Sequence, residues 1–141
     1  RKNGQGSSSL MEENFKLEII SPEKIIFSGD AKIVVLPSYE GDMSILKNHI
    51  SIITFLRPGI IKVQINESDF NEFFVQDGTV EYFNDTLVIL SASVINLKDL
   101  SKQFLENLNK ETEGKLLQKD ITDHDRYILN HKLDAIKEIR I

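Results

Sequence analysis

The amino-acid sequence predicts an antiparallel β domain followed by a two-helix tail. Three observations carry that prediction. Short apolar runs, several alternating with polar residues and broken by Gly, Pro, Asn and Asp, fill residues 15–92. The period then lengthens to that of an amphipathic helix, with Leu97, Leu100, Phe104, Leu105 and Leu108 on one stripe. A second stripe, Ile128, Leu129, Leu133, Ile136 and Ile139, closes the chain with Lys137 and Arg140 at its C-terminal end.

The elements follow in order. Residues Arg1–Leu10 are Gly/Ser/Asn-rich and carry no apolar stretch, so they are read as a cloning remnant or disordered arm, with Met11 as the native start. The β domain is assigned to 11–94 and the helical tail to 95–141. Phe15, Leu17 and Ile19 form one face of a first strand that Ser21-Pro22 interrupts. Ile25–Ser28 and Lys32–Leu36 flank Gly29-Asp30, and Glu40-Gly41-Asp42 reads as a turn. Ile50–Leu56 leads to Pro58-Gly59, which suits a type II turn. Ile61, Val63 and Ile65 alternate with Lys62, Gln64 and Asn66, and Asn66–Asp69 separates them from Phe70–Gln76 as in a hairpin. Asp77-Gly78 marks a further reversal, and Asn84-Asp85 has the spacing of a two-residue hairpin loop. Short strands at this spacing suit a sandwich or flattened barrel.

Several strands are apolar on both sides: Val34/Leu36 with Ile33/Val35, Ile52 with Ile53/Phe55, and Leu87/Ile89 with Val88/Leu90. A sheet with one wet face alternates instead, so the outer faces are expected to be covered by the tail or by another protein rather than to carry scattered apolar side chains. In the tail, Asn96 is the expected cap of the first helix, Glu113-Gly114 lies near its end, and the second helix starts near Asp123 or Asp125. Two short helices facing each other leave apolar surface over, so the tail must rest on the β domain or grip a partner. A tail with two docking surfaces is a candidate bistable element.

Composition excludes several functions. The chain has 141 residues, 40% apolar and 28% charged, which is a globular balance. A net charge of −5 without a Lys/Arg stripe argues against nucleic acid as a partner. There is no cysteine, which removes disulfides, thiolate metal sites and cysteine nucleophiles. No apolar run approaches the roughly 20 residues that span a bilayer, so any membrane association is expected to be indirect, through a complex.

Chemistry finds little purchase. No Gly-rich phosphate loop or nucleophile elbow is present. His124 and His131 lie seven residues apart near Asp120, Asp123 and Asp125, but no metal-ligand spacing supports them, and a solvated acidic helix start is the favoured reading. His49 is read as a hydrogen-bonded loop histidine. Glu40 and Asp42 flank a glycine at a turn tip, where a solvated turn or a protein contact suits them better than acid/base work. The residues thus nominate no catalytic, metal or cofactor site.

At these positions the sequence resembles the epsilon subunit of bacterial F-type ATP synthases. The resemblance runs through Phe15–Glu23, Phe27-Ser28-Gly29, Leu36–Leu46, Asn48-His49, Leu56–Ile60, Phe74–Gly78 and Val88-Ile89-Leu90, and the order and length of the tail continue it. It implies a β-sandwich of about ten strands with a C-terminal helical hairpin. It also implies a non-catalytic rotor subunit of the central stalk, coupling proton-driven ring rotation to ATP synthesis on the cytoplasmic side of the inner membrane. The implied partners are the gamma subunit, the ring of c subunits through Glu40, Gly41 and Asp42, and the alpha/beta catalytic head through the tail. For that last contact the resemblance nominates Arg126, Lys132, Lys137 and Arg140, in a tail that inhibits ATP hydrolysis when extended.

Two positions depart from the family. Its ATP-binding motif [IL]-D-x-x-R-A aligns with Leu100–Leu105, where Ser101 replaces the acid and Phe104 the arginine, so ATP binding is expected to be weak or absent. Leu46-Lys47-Asn48 stands where Pro-Gly is common, so that loop is expected to differ. Two other readings compete. Against a free-standing regulatory ligand-binding module stands the lost arginine, and against a small sandwich-fold enzyme the lack of a convergent acid/base pair.

Overall fold

The computed structural model describes residues 13–139. The expectations for Arg1–Leu10, Met11 and Arg140 fall outside the described residues. Ten strands precede two helices. They are β1 (Phe15–Ile20), β2 (Ile25–Ala31), β3 (Ile33–Ser38), β4 (Gly41–Ile45), β5 (Ile52–Leu56), β6 (Gly59–Gln64), β7 (Phe70–Val75), β8 (Gly78–Phe83), β9 (Thr86–Leu90) and β10 (Ile95–Asn96). A 3-10 turn, Leu97–Asp99, leads to helices α1 (Lys102–Leu116) and α2 (Asp123–Glu138).

The strands hydrogen-bond in the order β10-β7-β6-β3-β5-β8-β9-β1-β2, with β4 on the side of β3. The sheet curls until its ends meet: the rings of Phe27 in β2 and Phe73 in β7 stand 6.3 Å apart, edge to face. Inside the curl, Leu17, Ile19, Val34, Leu36, Ile45, Ile61, Val75, Leu87 and Ile89 are fully buried. The period-2 pattern accounts for them, since alternate side chains reach one face. One pairing departs from the antiparallel expectation. β1 lies parallel to β9, Lys16 opposite Thr86 through Ile20 opposite Leu90. The chain between them is long enough to form the rest of the domain, so a parallel pair needs no tight connection.

The turn chemistry divides into turns that were legible and turns that were not. Asn84 and Asp85 have φ of 52° and 56°, the two left-handed residues of a type I′ hairpin joining Phe83 to Thr86. Pro58-Gly59 is not a type II turn. Gly59 has no positive φ, and β5 and β6 do not pair: the chain crosses between halves of the sheet there. The glycine is needed for space, because a Cβ built on it would lie 2.5 Å from the Pro37 Cβ. Asp77-Gly78 is likewise a crossing, from β7 to β8, with Gly78 at φ 155°. Gly29-Asp30 does not break the chain, because β2 runs through both and ends at Ala31.

Candidate functional site

The acidic turn and the tail share one side of the molecule. Tyr39 and Glu40 form the two-residue loop between β3 and β4, with Ser38 paired to Gly41. Gly41 sits at φ 118°, a conformation that favours glycine. The buried Ser38 hydroxyl donates to the Gly41 carbonyl at 2.6 Å and accepts the Glu40 N–H at 3.3 Å. The Tyr39 N–H donates to the Phe55 carbonyl at 3.2 Å, and the Arg57 N–H to the Pro37 carbonyl at 2.9 Å. Asp42 faces solvent and accepts from the Arg57 Nη2 at 3.1 Å. Glu40, Gly41 and Asp42 therefore stand together at a surface tip braced by β5 and Arg57. A pair this exposed on the carboxylate side adds little to stability, so both acids remain available to a partner.

The tail docks by a second apolar core. Ile60 and Phe74, on the outer face of the sheet, pack with Leu100, Leu105, Ala135, Ile136 and Ile139. Ser101 caps α1, its hydroxyl accepting the Phe104 N–H at 3.0 Å, and Thr122 caps α2 through the Asp125 N–H at 3.0 Å. Asn96 caps the preceding 3-10 turn instead of α1, through the Lys98 N–H at 2.9 Å. Ser101 had a stronger claim: its hydroxyl stands three residues before the first helical N–H it satisfies. Aspartates in the first turn of α2 and Lys137 in its last complement the helix dipole. Lys62 on β6 clasps Glu138 at 3.0 Å, and that hydrogen bond raises the lysine's pKa.

The predicted tail cations separate. Arg126 and Lys137 are exposed and eleven residues apart, hence on one helix face. Lys132 is half-buried, and its pKa is lowered by desolvation and then by the nearby Lys115. In the docked tail the three do not form one patch.

The histidines serve as ring partners. His131 and Tyr127 meet edge to face with centroids 4.4 Å apart, and Tyr39 stacks on Tyr127 at 5.9 Å and on His124 at 6.1 Å. The Tyr127 hydroxyl donates to the Tyr39 carbonyl at 3.1 Å. Burial lowers the pKa of His131, Arg57 lowers it further, and Asp134 and Asp42 oppose that. His49 Nδ1 donates to the Ile50 carbonyl at 2.7 Å. Behind it, the Asp85 carboxylate accepts the Asn48 N–H at 3.0 Å and the Tyr82 hydroxyl at 2.8 Å. Those bonds depress the Asp85 pKa, while burial and Asp85 push the Tyr82 phenol up to about 12.

A cleft of about 280 Å³ beneath α2 is lined by Asp42, Arg57, Lys62, His131, Asp134 and Glu138. Arg57 and Lys62 are already engaged by Asp42 and Glu138. Among the described residues no group of three or more His, Cys, Asp or Glu could hold a metal ion, and no helix is long and apolar enough to cross a membrane.

On the opposite face of the curl, nothing among the described residues covers the apolar side chains. The registers place Phe55, Thr79, Leu90, Ile20 and Ile25 in one row across β5, β8, β9, β1 and β2. Phe55 is 58% exposed, Leu90 48% and Ile25 62%. The next row adds Ile53, 75% exposed, beside Glu81, Val88 and Glu18. Of the strands apolar on both sides, β3 turns Val35 into the cleft beneath α2, whereas the outer side chains of β5 and β9 stay uncovered among the described residues.

The comparisons with known proteins agree with this architecture. Residues 14–97 match the family model described as "ATP synthase, Delta/Epsilon chain, beta-sandwich domain". The chain is 43% identical over 130 residues to the ATP synthase epsilon chain of Pelagibacter ubique (strain HTCC1062), covering 92% of this chain and 99% of that one. The chain belongs to the ATP synthase epsilon-chain family. The epsilon chain of Parvibaculum lavamentivorans is 34% identical, over 92% of this chain and 98% of its own length. Two solved structures share the fold. A chain of the Euglena gracilis mitochondrial ATP synthase, in a structure of OSCP, F1 and c-ring, superposes with a TM-score of 0.70 at 17% identity, covering 88% of this chain and 78% of its own. A chain from the central stalk and c-ring of the Tetrahymena thermophila enzyme gives 0.60 at 15%, covering 87% and 93%. The two epsilon-chain relatives match both parts of the chain, sandwich and tail alike.

Proposed function

We propose that this epsilon-family chain is a non-catalytic rotor subunit of the ATP synthase central stalk, coupling proton-driven ring rotation to ATP synthesis. The observation that carries the reading is the uncovered apolar row Phe55–Leu90–Ile20–Ile25. Five strands at about 4.8 Å spacing make it roughly 19 Å wide, a surface that suits permanent contact with another protein. In the proposal the gamma subunit covers it. The c ring meets Glu40, Gly41 and Asp42 at the braced tip. The complex then sits on the cytoplasmic side of the bacterial inner membrane, with this chain reaching the membrane only through its partners.

The helical part, 95–141, acts in this reading as a unit separable from the domain over 11–94. Released from Ile60 and Phe74, it offers Arg126, Lys132, Lys137 and Arg140 to the alpha/beta head and slows ATP hydrolysis. Half-burial of Lys132 in the docked tail supports a change of state, since its charge is better solvated after release. ATP is not a ligand of this tail in the proposal, because Ser101 and Phe104 offer no cationic partner for phosphate.

The test is co-expression with gamma. Phe55→Glu combined with Leu90→Glu places charges on exposed positions, so the isolated chain should stay folded and lose co-purification with gamma. Undiminished co-purification sinks the gamma assignment. Deleting 97–141 should raise ATP hydrolysis by the assembled enzyme.

A further inference from the structure

The tail is held to the sheet at two places of different character. Toward the end of α2 the contact is apolar and buried, through Ala135, Ile136 and Ile139 on Ile60 and Phe74. At its start the contact is aromatic and partly wet. His124, Tyr127 and His131 are spaced three and four residues apart and share a face. That face stacks on Tyr39 of the sheet's turn, which is itself 39% exposed, while His131 also lines the cleft with Asp42 and Arg57. Contacts that are few and solvent-accessible open first, so this end governs the onset of release.

Tyr39 is tied on both sides. Its N–H is bound to Phe55 of the sheet at 3.2 Å, and its carbonyl accepts from the Tyr127 hydroxyl of the tail at 3.1 Å. The residue that follows is Glu40, the first of the acidic tip. A partner that engages Glu40-Gly41-Asp42 acts on the peptide carrying the Tyr39 carbonyl. Rotating that carbonyl breaks the bond to Tyr127, one of the ties between the turn and the tail.

We propose that the Tyr39-Glu40 turn is a latch: its conformation and the docking of the helical tail are coupled through the Tyr39–Tyr127 stack and hydrogen bond. Coupling of this kind is reciprocal. A partner that moves the turn loosens the tail, and a released tail changes the turn's readiness for that partner. That the partner is the c ring rests on the stalk reading above; the coupling itself rests on this chain's own contacts.

The experiment is native-state amide exchange and amide NMR on the full isolated chain. Tyr39→Ala removes the stack and should speed exchange in α2 on the order of tenfold, with the β8 and β9 amides unchanged. Tyr127→Phe keeps the ring and its volume and should give a smaller rise confined to α2, a second test should Tyr39→Ala disturb the turn itself. In the reverse direction, Ala135→Asp buries a charge in the second core, undocks the tail and should shift the Glu40 and Gly41 amide resonances. Unchanged α2 exchange in Tyr39→Ala, or unchanged turn resonances in Ala135→Asp, overturns the latch. No gamma or c subunit enters either measurement, so failure here leaves the stalk reading standing, and failure of gamma co-purification leaves the latch standing.

Discussion

Substituting Ile136 separates the two cores. Ile136 is 9% exposed and belongs to the tail-docking core, whereas Ile61, fully buried on β6, belongs to the sandwich core. Isoleucine to alanine in a core costs about 2–5 kcal/mol, depending on how far the site collapses around the deletion. Ile136 keeps 9% of its surface exposed at the rim of the smaller core, so the low end, about 2 kcal/mol, is expected for Ile136→Ala. At about 1.4 kcal/mol per factor of ten, that raises the undocked fraction of the tail roughly 30-fold. The sandwich keeps its own core and should lose little. Ile61→Ala should instead lower the stability of the whole domain by about 2–5 kcal/mol. Native-state exchange read separately on α1/α2 and on β8/β9, with thermal unfolding alongside, distinguishes the two. If Ile136→Ala accelerates exchange in helices and strands by the same factor, the tail and the sandwich unfold as one unit and the two-core argument fails.

Four further outcomes are expected. The His131 pKa is lowered in the docked tail by burial and by Arg57, against Asp134 and Asp42; the docked state therefore binds fewer protons, so docking weakens as pH falls below about 6.5, and a pH series in α2 exchange that survives His131→Gln would refute the assignment. Gly59→Ala places a Cβ 2.5 Å from Pro37 and should cost about 1–3 kcal/mol by overpacking, seen as a lower urea midpoint. Asn84→Val forces a β-branched residue to φ 52° and should cost about 1–2 kcal/mol, whereas Asn84→Gly should be nearly neutral in the same titration. Millimolar ATP should leave the tail's amide spectrum unchanged, and clear shifts in α1 would show that Ser101 and Phe104 do not abolish nucleotide binding.

The strands with clean alternation were legible because a sheet's two-residue period is a local property. β1 and β6 buried the faces their patterns nominated, Phe15/Leu17/Ile19 and Ile61/Val63. The Asn84-Asp85 hairpin was legible for the same reason, its two left-handed residues lying inside the turn. Pro58-Gly59 and Asp77-Gly78 carry the same turn chemistry yet serve as crossings, because pairing partners are chosen by the curl of the sheet. The turn Glu40-Gly41-Asp42 could be picked out in the sequence, but its brace through Arg57 and its contact with the tail could not. Tyr127 was open to discovery from its helical spacing with His124 and His131, whereas Tyr39 offered no comparable signal.

By itself, then, the sequence determined a β domain, a two-helix tail with apolar stripes to bury, and a likeness to epsilon subunits. Each follows from periodicity, capping residues or motif order within short windows. Tertiary structure alone decided where the tail rests. Ile60 and Phe74 read as ordinary strand residues until the curl turns them outward beneath Leu105, Ala135 and Ile136. It also decided that the two-sided strands split, β3 toward the tail and β5 and β9 toward open surface. Which side of a doubly apolar strand faces the core is set by neighbours distant in the chain, and local spacing holds no record of them.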